Sequence, residues 1–271
     1  MKVKLLSHTI NPELLVATSA KLCYSSSNIE ELMNKQKDTD IETFINMLKD
    51  IGHQSPLEHI SFTFGIEDIS RVTEVQLVRH RIASYSIKSG RYVKIDNFKY
   101  SIPPSIEMAL GLKEKYENKM MEDMKFYTEI VDKLIENTIL EKHLKLYKNI
   151  YTKMHKTEKA EFIQKFKKSN LAEYKMIEKK AIEDARYVLP QAARTNIIVT
   201  MNARSLLNFF EHRICNRAQW EIRTMAKLML KEAKEIAPII FSNIGSPCMK
   251  TGVCPEGKMQ CSELKNKIPT N

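Results

Sequence analysis

Hydrophobic and polar positions alternate most cleanly between Ile60 and Ile66, where Ile60, Phe62, Phe64 and Ile66 are separated by Ser61, Thr63 and Gly65. A period of two sends one set of side chains to a core face, so the segment is predicted to be a half-buried strand. Residues 2–6 suit a short first strand, and Asn11-Pro12 opens a helix toward Tyr24. Thr39 with Glu42 three residues on makes a capping box for a helix to about residue 51. Ser70 is placed to cap a helix toward Arg79, Gly90 interrupts the chain before a strand at about 91–95, and Pro103-Pro104 marks a break.

From about 105 to 187 the pattern is helical and rich in Lys and Glu, with thin apolar stripes such as Met124, Tyr127, Ile130, Val131 and Leu134. This reads as an exposed antiparallel helical insert, most simply a solvated face. Pro190 ends it, and one long helix is expected over about 203–236, stopped before Pro238. From about 245 to 271 the chain turns irregular, with Cys248, Cys254 and Cys261. No repeat and no domain boundary is legible. The expected fold class is α+β in one domain spanning 1–271: a mainly antiparallel sheet packed with helices, a long C-terminal helix and a Lys-rich insert.

Composition narrows the class. The 271 residues are 43% hydrophobic and 28% charged, a globular balance able to bury a core without staples. No apolar run approaches the roughly 18–20 residues of a membrane span, and the start lacks a signal-peptide pattern. Five cysteines are too few for a disulfide framework, so a cytoplasmic protein without membrane contact is expected. The C-x5-C-x6-C spacing of the tail is not that of a zinc finger, and no metal is expected.

A formal charge of +10 points to anionic partners, and its distribution says where. Lysine carries it over 112–180, whereas arginine dominates 71–91 and 186–223. Arginine is the planar fork suited to phosphate and carboxylate. With only seven glycines and no GxGxxG or P-loop, a bound nucleotide would be held by side chains. Residues 79–92 (RHRIASYSIKSGRY) offer three arginines, a histidine and three serines, although such a cluster serves a solvated face or an RNA surface as readily as a site. Leu206, Phe209, Arg213 and Trp220 stand at spacings of three, four and seven, on one face of the expected helix. Arg213 on an apolar stripe requires a partner, either a glutamate or a bound anion.

Arg79-His80-Arg81 followed by Ser89 resembles the RHR-x7-S signature of flavin-dependent thymidylate synthases. Gly52-His53-Gln54-Ser55-Pro56-Leu57-Glu58-His59 is similar to that family's GHxSPxEH segment, and Ala185-Arg186 before Val188-Leu189-Pro190 to its AR-x-VLP stretch. Residues 202–206 (NARSL) with Asn208, Arg213 and 218–223 (AQWEIR) resemble its long-helix segment. These segments stand in the family's order over about 1–100 and 185–240, leaving the insert and the cysteine tail outside the likeness.

The resemblance implies the thymidylate synthase-complementing protein fold and conversion of dUMP to dTMP. The carbon would come from methylenetetrahydrofolate and the reducing power from NADPH through FAD, in a homotetramer with active sites between subunits. It further implies that Gln76, Arg79, Ser89, Gly90, Arg91, Arg186 and Arg213 hold dUMP. His53, Arg79, His80, Arg81, Asn202, Arg204 and Asn208 would hold FAD, His53 beside flavin and folate. Reduction at C6 of a uracil builds negative charge on the ring, and a fixed cation stabilises it, which makes Arg213 the expected catalytic residue. Ser89 is then a polar ligand contact, since no base is evident for a nucleophile. Cys215, two positions from Arg213 on a helix, would face elsewhere. Where the family has Asn-Glu this chain has Ser86-Ile87, which keeps a flavin-binding homologue with weak turnover as an alternative. A basic nucleic-acid-binding protein is the competing class, disfavoured because aromatics do not interleave the basic runs.

Overall fold

The computed structural model describes residues 1–35, 41–89, 99–143 and 154–261. The chain forms two compact units, one of residues 1–87 with 195–271 and the other of residues 88–194.

The first unit is built on a four-stranded sheet in the order β1-β2-β4-β3. Strand β1 is Lys2–His8, β2 Ser61–Ser70, β3 Ser84–Ile87 and β4 Arg194–Asn202. β1 runs antiparallel to β2, and β3 to β4. Between β2 and β4, Thr63 meets Thr200 through its hydroxyl at 2.9 Å and Asp68 meets Asn196, so this pair also runs in opposite directions. The alternation expected of β2 is present: Phe62, Phe64 and Ile66 are buried while Ser61 and Glu67 are exposed. Gly65 sits opposite Lys4, where a Cβ would stand 3.1 Å from the Leu6 side chain.

Helices cover the sheet. Helix α1, Pro12–Leu22, starts at Asn11-Pro12 as expected, and α2 is Ile29–Lys35. Helix α3, Ile41–Asp50, buries Ile45 and Leu48, while the Thr39 of its expected capping box lies outside the described residues. Ser70 caps α4, Arg71–Leu77, by accepting from the Thr73 N–H. The strand expected at 91–95 lies outside the described residues. Two strands went unanticipated, β3 within the arginine-rich segment and β4 after Pro190.

In the second unit, α5 is Pro104–Met108, α6 Leu112–His143, α7 Lys156–Ser169 and α8 Leu171–Ala185. Helices α6 and α8 are antiparallel, with Lys142 near the end of one paired to Glu173 at the start of the other. Tyr127, Val131, Ile135 and Ile139 pack there against Tyr174, Ile177 and Ala181, a core of the unit's own. The stripe therefore faces its own partner helix, and the Lys and Glu positions face solvent.

The single helix expected over 203–236 is two: α9, Ala203–Arg213, and α10, Trp220–Ile236. The break contains neither Gly nor Pro. Gln219 makes it, its side-chain oxygen accepting from the N–H groups of Glu221 and Ile222 and so starting a new helix. Arg223 donates to the Asn216 carbonyl in the turn at 2.8 Å. Trp220 thus leaves the face shared by Leu206, Phe209 and Arg213, and Cys215 lies in the connection rather than on a helix. A short helix α11, Pro247–Thr251, follows in the tail. Helices α9 and α10 pack on β2 and β4, joining Leu206, Phe209, Phe210, Ile222 and Met225 to the sheet's buried face. No helix among the described residues is long and apolar enough to cross a membrane.

Candidate active site

One strand register assembles the site. Ser84 at the start of β3 pairs with Thr200 near the end of β4, so the chain entering β3 and the chain leaving β4 emerge at the same end. Arg79, His80 and Arg81 precede the first, while Asn202 ends the second and Arg204 and Asn208 follow it. Residues separated by more than a hundred positions therefore line one cleft of about 520 Å³, together with Glu58, Ile82 and Ser205.

Each side of the cleft is held by buried chemistry. On one side, Glu221 at the start of α10 is 2% exposed. Its carboxylate accepts from the Ser70 N–H at 3.1 Å, from the Thr73 hydroxyl at 2.7 Å and from the Ser70 hydroxyl. That ties the first turn of α4 to α10 and sets where α4 delivers the chain. Beyond α4, the Tyr85 hydroxyl lies 2.9 Å from the Leu77 carbonyl and 2.7 Å from the His80 carbonyl, and its one proton is shared between them. Burial pushes the Tyr85 hydroxyl up to about 12, so it stays a donor.

On the other side, Asn202 caps α9, its side-chain oxygen accepting from the Ser205 N–H at 2.8 Å. Arg204 and Asn208, four apart, then share a face of α9. Arg204 pairs with Glu58, which the short 3-10 turn Ser55–His59 presents. Both are about half exposed (51% and 48%), so the pair is worth about 1 kcal/mol at most and yields to a stronger anion. Among the described residues, Arg79 and Arg81 have no carboxylate partner at all.

Arg213 closes α9 beside this cleft without lining it. Its Nε donates to Nε2 of His80 at 3.0 Å, and Phe209 meets the same imidazole edge-on at 4.9 Å between ring centres. Among the described residues the partner of Arg213 is thus a neutral ring and not the glutamate that a buried ion pair would supply. Burial first, then the charges of Arg213 and His212, lower the His80 pKa from 6.5 to about 4.

A second cavity of about 300 Å³ adjoins the first, since Arg204 and Asn208 line both. Its floor is apolar, with Val16, Ile45, Leu57 and Leu207, and its rim carries His53, Gln54, Lys49 and Glu211. The Nδ1 atom of His53 is buried there without a hydrogen-bond partner.

The expected flavin group therefore falls on one continuous surface, six residues in the larger cleft and His53 in its neighbour. The expected dUMP group does not. Gln76 lies on α4 with its amide turned to the Val72 carbonyl, Arg79 lines the larger cleft, and Arg213 stands behind His80. Ser89 and an exposed Arg186, at the end of α8, belong to the second unit. Gly90 and Arg91 lie outside the described residues. Glu58, Ser205, Tyr85 and Glu221 were not singled out from sequence. All four fall inside the quoted segments, the only signal they gave; the ties that Tyr85 and Glu221 make are tertiary and have no sequence signature. Among the described residues no three His, Cys, Asp or Glu side chains gather as metal ligands.

An α+β core that turns three arginines, an uncharged histidine and two helix-borne amides onto one open cleft, with no glycine-rich loop, defines a class of protein that grips an anionic ligand with side chains. The sequence pattern of the family described as thymidylate synthase complementing protein matches residues 4–239, a span that includes the helical segment 105–187. A flavin-dependent thymidylate synthase of Clostridium tetani is 45% identical over 97% of this chain and 94% of its own length. Proteins of that name from Geobacter sulfurreducens and Pyrococcus furiosus are 42% and 35% identical over 97% and 94% of this chain, and over 94% and 90% of their own lengths. The chain belongs to the thymidylate synthase complementing protein family.

Proposed function

We propose that this protein is a flavin-dependent thymidylate synthase, converting dUMP to dTMP with methylenetetrahydrofolate as carbon donor and NADPH as reductant through FAD. The observation that carries the reading is the convergence of Arg79, His80 and Arg81 with Asn202, Arg204 and Asn208 on one cleft.

FAD fits the residues present. Its pyrophosphate is an anion, and Arg79 and Arg81 offer forks that pair with no carboxylate among the described residues, the cleft's Glu58 being paired to Arg204. Arg204 is restrained only by an exposed pair. The cleft's volume lies in the range of ligand sites, and the adjoining apolar cavity suits a flat ring. When bound, FAD supplies the two-electron carrier between NADPH and the pyrimidine. The chain's own residues bind and orient. Arg79 and Arg81 meet phosphate, Asn202 and Asn208 present amides, and His53 with its unpartnered Nδ1 supplies a polar contact at the cavity rim. For dUMP, the family likeness assigns Gln76, Arg79, Ser89, Gly90, Arg91, Arg186 and Arg213. Arg213 is the catalytic residue: its guanidinium, which among the described residues is held by His80 and no carboxylate, offsets the negative charge that reduction places on the pyrimidine.

The homotetramer belongs to the same reading, supported by large apolar side chains left at the surface, such as Ile10 (81% exposed) and Ile82 beside the cleft (75%). So does a cytoplasmic location, where dUMP, folate and NADPH are found. The reading also treats residues 1–271 as one functional domain, since the family match runs through both units.

The test is dTMP formation from dUMP with FAD, NADPH and methylenetetrahydrofolate, omitting each in turn. Product that requires all of them is expected. A yellow protein whose flavin spectrum responds to dUMP without product would make it a non-catalytic homologue. A colourless protein that binds oligonucleotides with steep salt dependence would overturn the reading altogether.

A further inference from the structure

Arg213 occupies an unusual electrostatic position. It closes a helix whose one face, through Leu206 and Phe209, is wholly buried, and, itself half-buried, it needs a hydrogen-bond partner there. The partner is Nε2 of His80, at 3.0 Å from its Nε. Phe209 stands edge-on to the imidazole, and the backbone that carries it is held at both ends: the His80 N–H donates to the Leu77 carbonyl at 3.1 Å, and the His80 carbonyl accepts from Tyr85.

A guanidinium carries five N–H donors, and this contact uses the one at Nε. The two terminal nitrogens remain as a fork of the kind that meets phosphate, carboxylate or a uracil carbonyl. Held by a carboxylate, the guanidinium would be anchored more firmly but its field would be cancelled. Held by a neutral imidazole, it is oriented and keeps its whole charge.

We propose that His80 is the positioning residue for Arg213: a neutral imidazole that accepts from Arg213 Nε, aims the terminal fork at the substrate anion and leaves the cation unquenched. The assignment rests on the reading of the site as a thymidylate synthase and adds to it, since the family resemblance gives His80 to the flavin alone. For Nε2 to accept, the ring proton must sit on Nδ1, and the lowered basicity of His80 keeps the ring neutral at physiological pH.

The test is a set of FAD-loaded proteins in which flavin content is measured separately from dUMP binding, the latter followed by the flavin spectrum. His80→Ala is expected to weaken dUMP about tenfold, and His80→Gln, whose amide oxygen reaches the Nε2 position, to return it to within about threefold of wild type. His80→Glu holds Arg213 but quenches it, and is expected to bind dUMP no better than His80→Ala. In a cycle with Arg213→Ala, the double variant is expected to lose little beyond Arg213→Ala alone. The histidine 15N spectrum at pH 7 is expected to show the Nδ1–H tautomer for His80.

Equal losses in His80→Ala and His80→Gln, additive losses in the cycle, or an Nε2–H tautomer would each overturn the proposal and leave His80 as a flavin contact only. A wild-type protein that binds dUMP without forming dTMP would overturn the functional reading, and the cycle on dUMP binding would still decide the positioning role. A protein that binds no dUMP would overturn both.

Discussion

A guanidinium at Arg213 and an imidazole at His80, 3.0 Å apart, form a cation–neutral pair where a cation–anion pair is the common solution to burial. Removing the cation should therefore cost function more than folding. Arg213→Ala is expected to abolish dTMP formation while FAD content stays near wild type, measured by turnover and by flavin absorbance. Equal loss of both would make its role structural. The histidine has its own signature in stability. Its pKa is lowered from 6.5 to about 4, by burial first and then by Arg213 and His212. Between those values the unfolded chain binds a proton that the folded chain refuses, so stability falls as pH drops from about 6.5 toward 4 and is flat above. The melting temperature of wild type is expected to decline more steeply through that window than that of His80→Gln, which has no ring to protonate. Parallel declines would show that the ring is not held neutral by the fold. Tyr85 makes the third residue-scale case: Tyr85→Phe removes the donor to the Leu77 and His80 carbonyls and is expected to cost about 1–2 kcal/mol in urea unfolding.

At the scale of elements, what the sequence disclosed follows from one-sided burial. Strand β2 was legible because Phe62, Phe64 and Ile66 are buried and the residues between them are polar or glycine. Strand β4 has the same geometry, with Ile197, Val199 and Met201 buried. Its outward Ile198, 46% exposed, turns the run into NIIVTM and hides the period. The helix break at 214–219 was invisible for a different reason: a glutamine seldom caps a helix, and only the geometry of Gln219 reveals that it does. Six of the residues expected to hold flavin line one cleft and His53 its neighbour, and they were grouped in the sequence by motif likeness alone. The pairing of Ser84 with Thr200 that brings them together is a tertiary fact. The element contact most exposed to test is α4 on α10. Glu221→Gln would place an amide N–H₂ against two hydroxyls and a backbone N–H, and is expected to cost about 2–4 kcal/mol. Because α4 delivers Arg79, flavin affinity should fall with it. Unchanged stability would mean the carboxylate contributes no net hold.

Among the described residues the two largest cores share no buried residue, one under the sheet and one between α6, α7 and α8. The two cavities described above are lined by residues of the first unit. Ser89 and Arg186, in contrast, belong to the second unit. Tyr127 is wholly buried in the second core, and Tyr127→Ala is expected to destabilise that unit by about 3–5 kcal/mol. Its amides over 112–185 should then exchange faster in hydrogen-exchange mass spectrometry, while those of β2, β4 and α9 keep their protection. Flavin content should hold and dUMP affinity should fall, because Arg186 closes the helix that Tyr127 packs beside. If instead flavin is lost in step with exchange in the second unit, the two cores fold as one cooperative body.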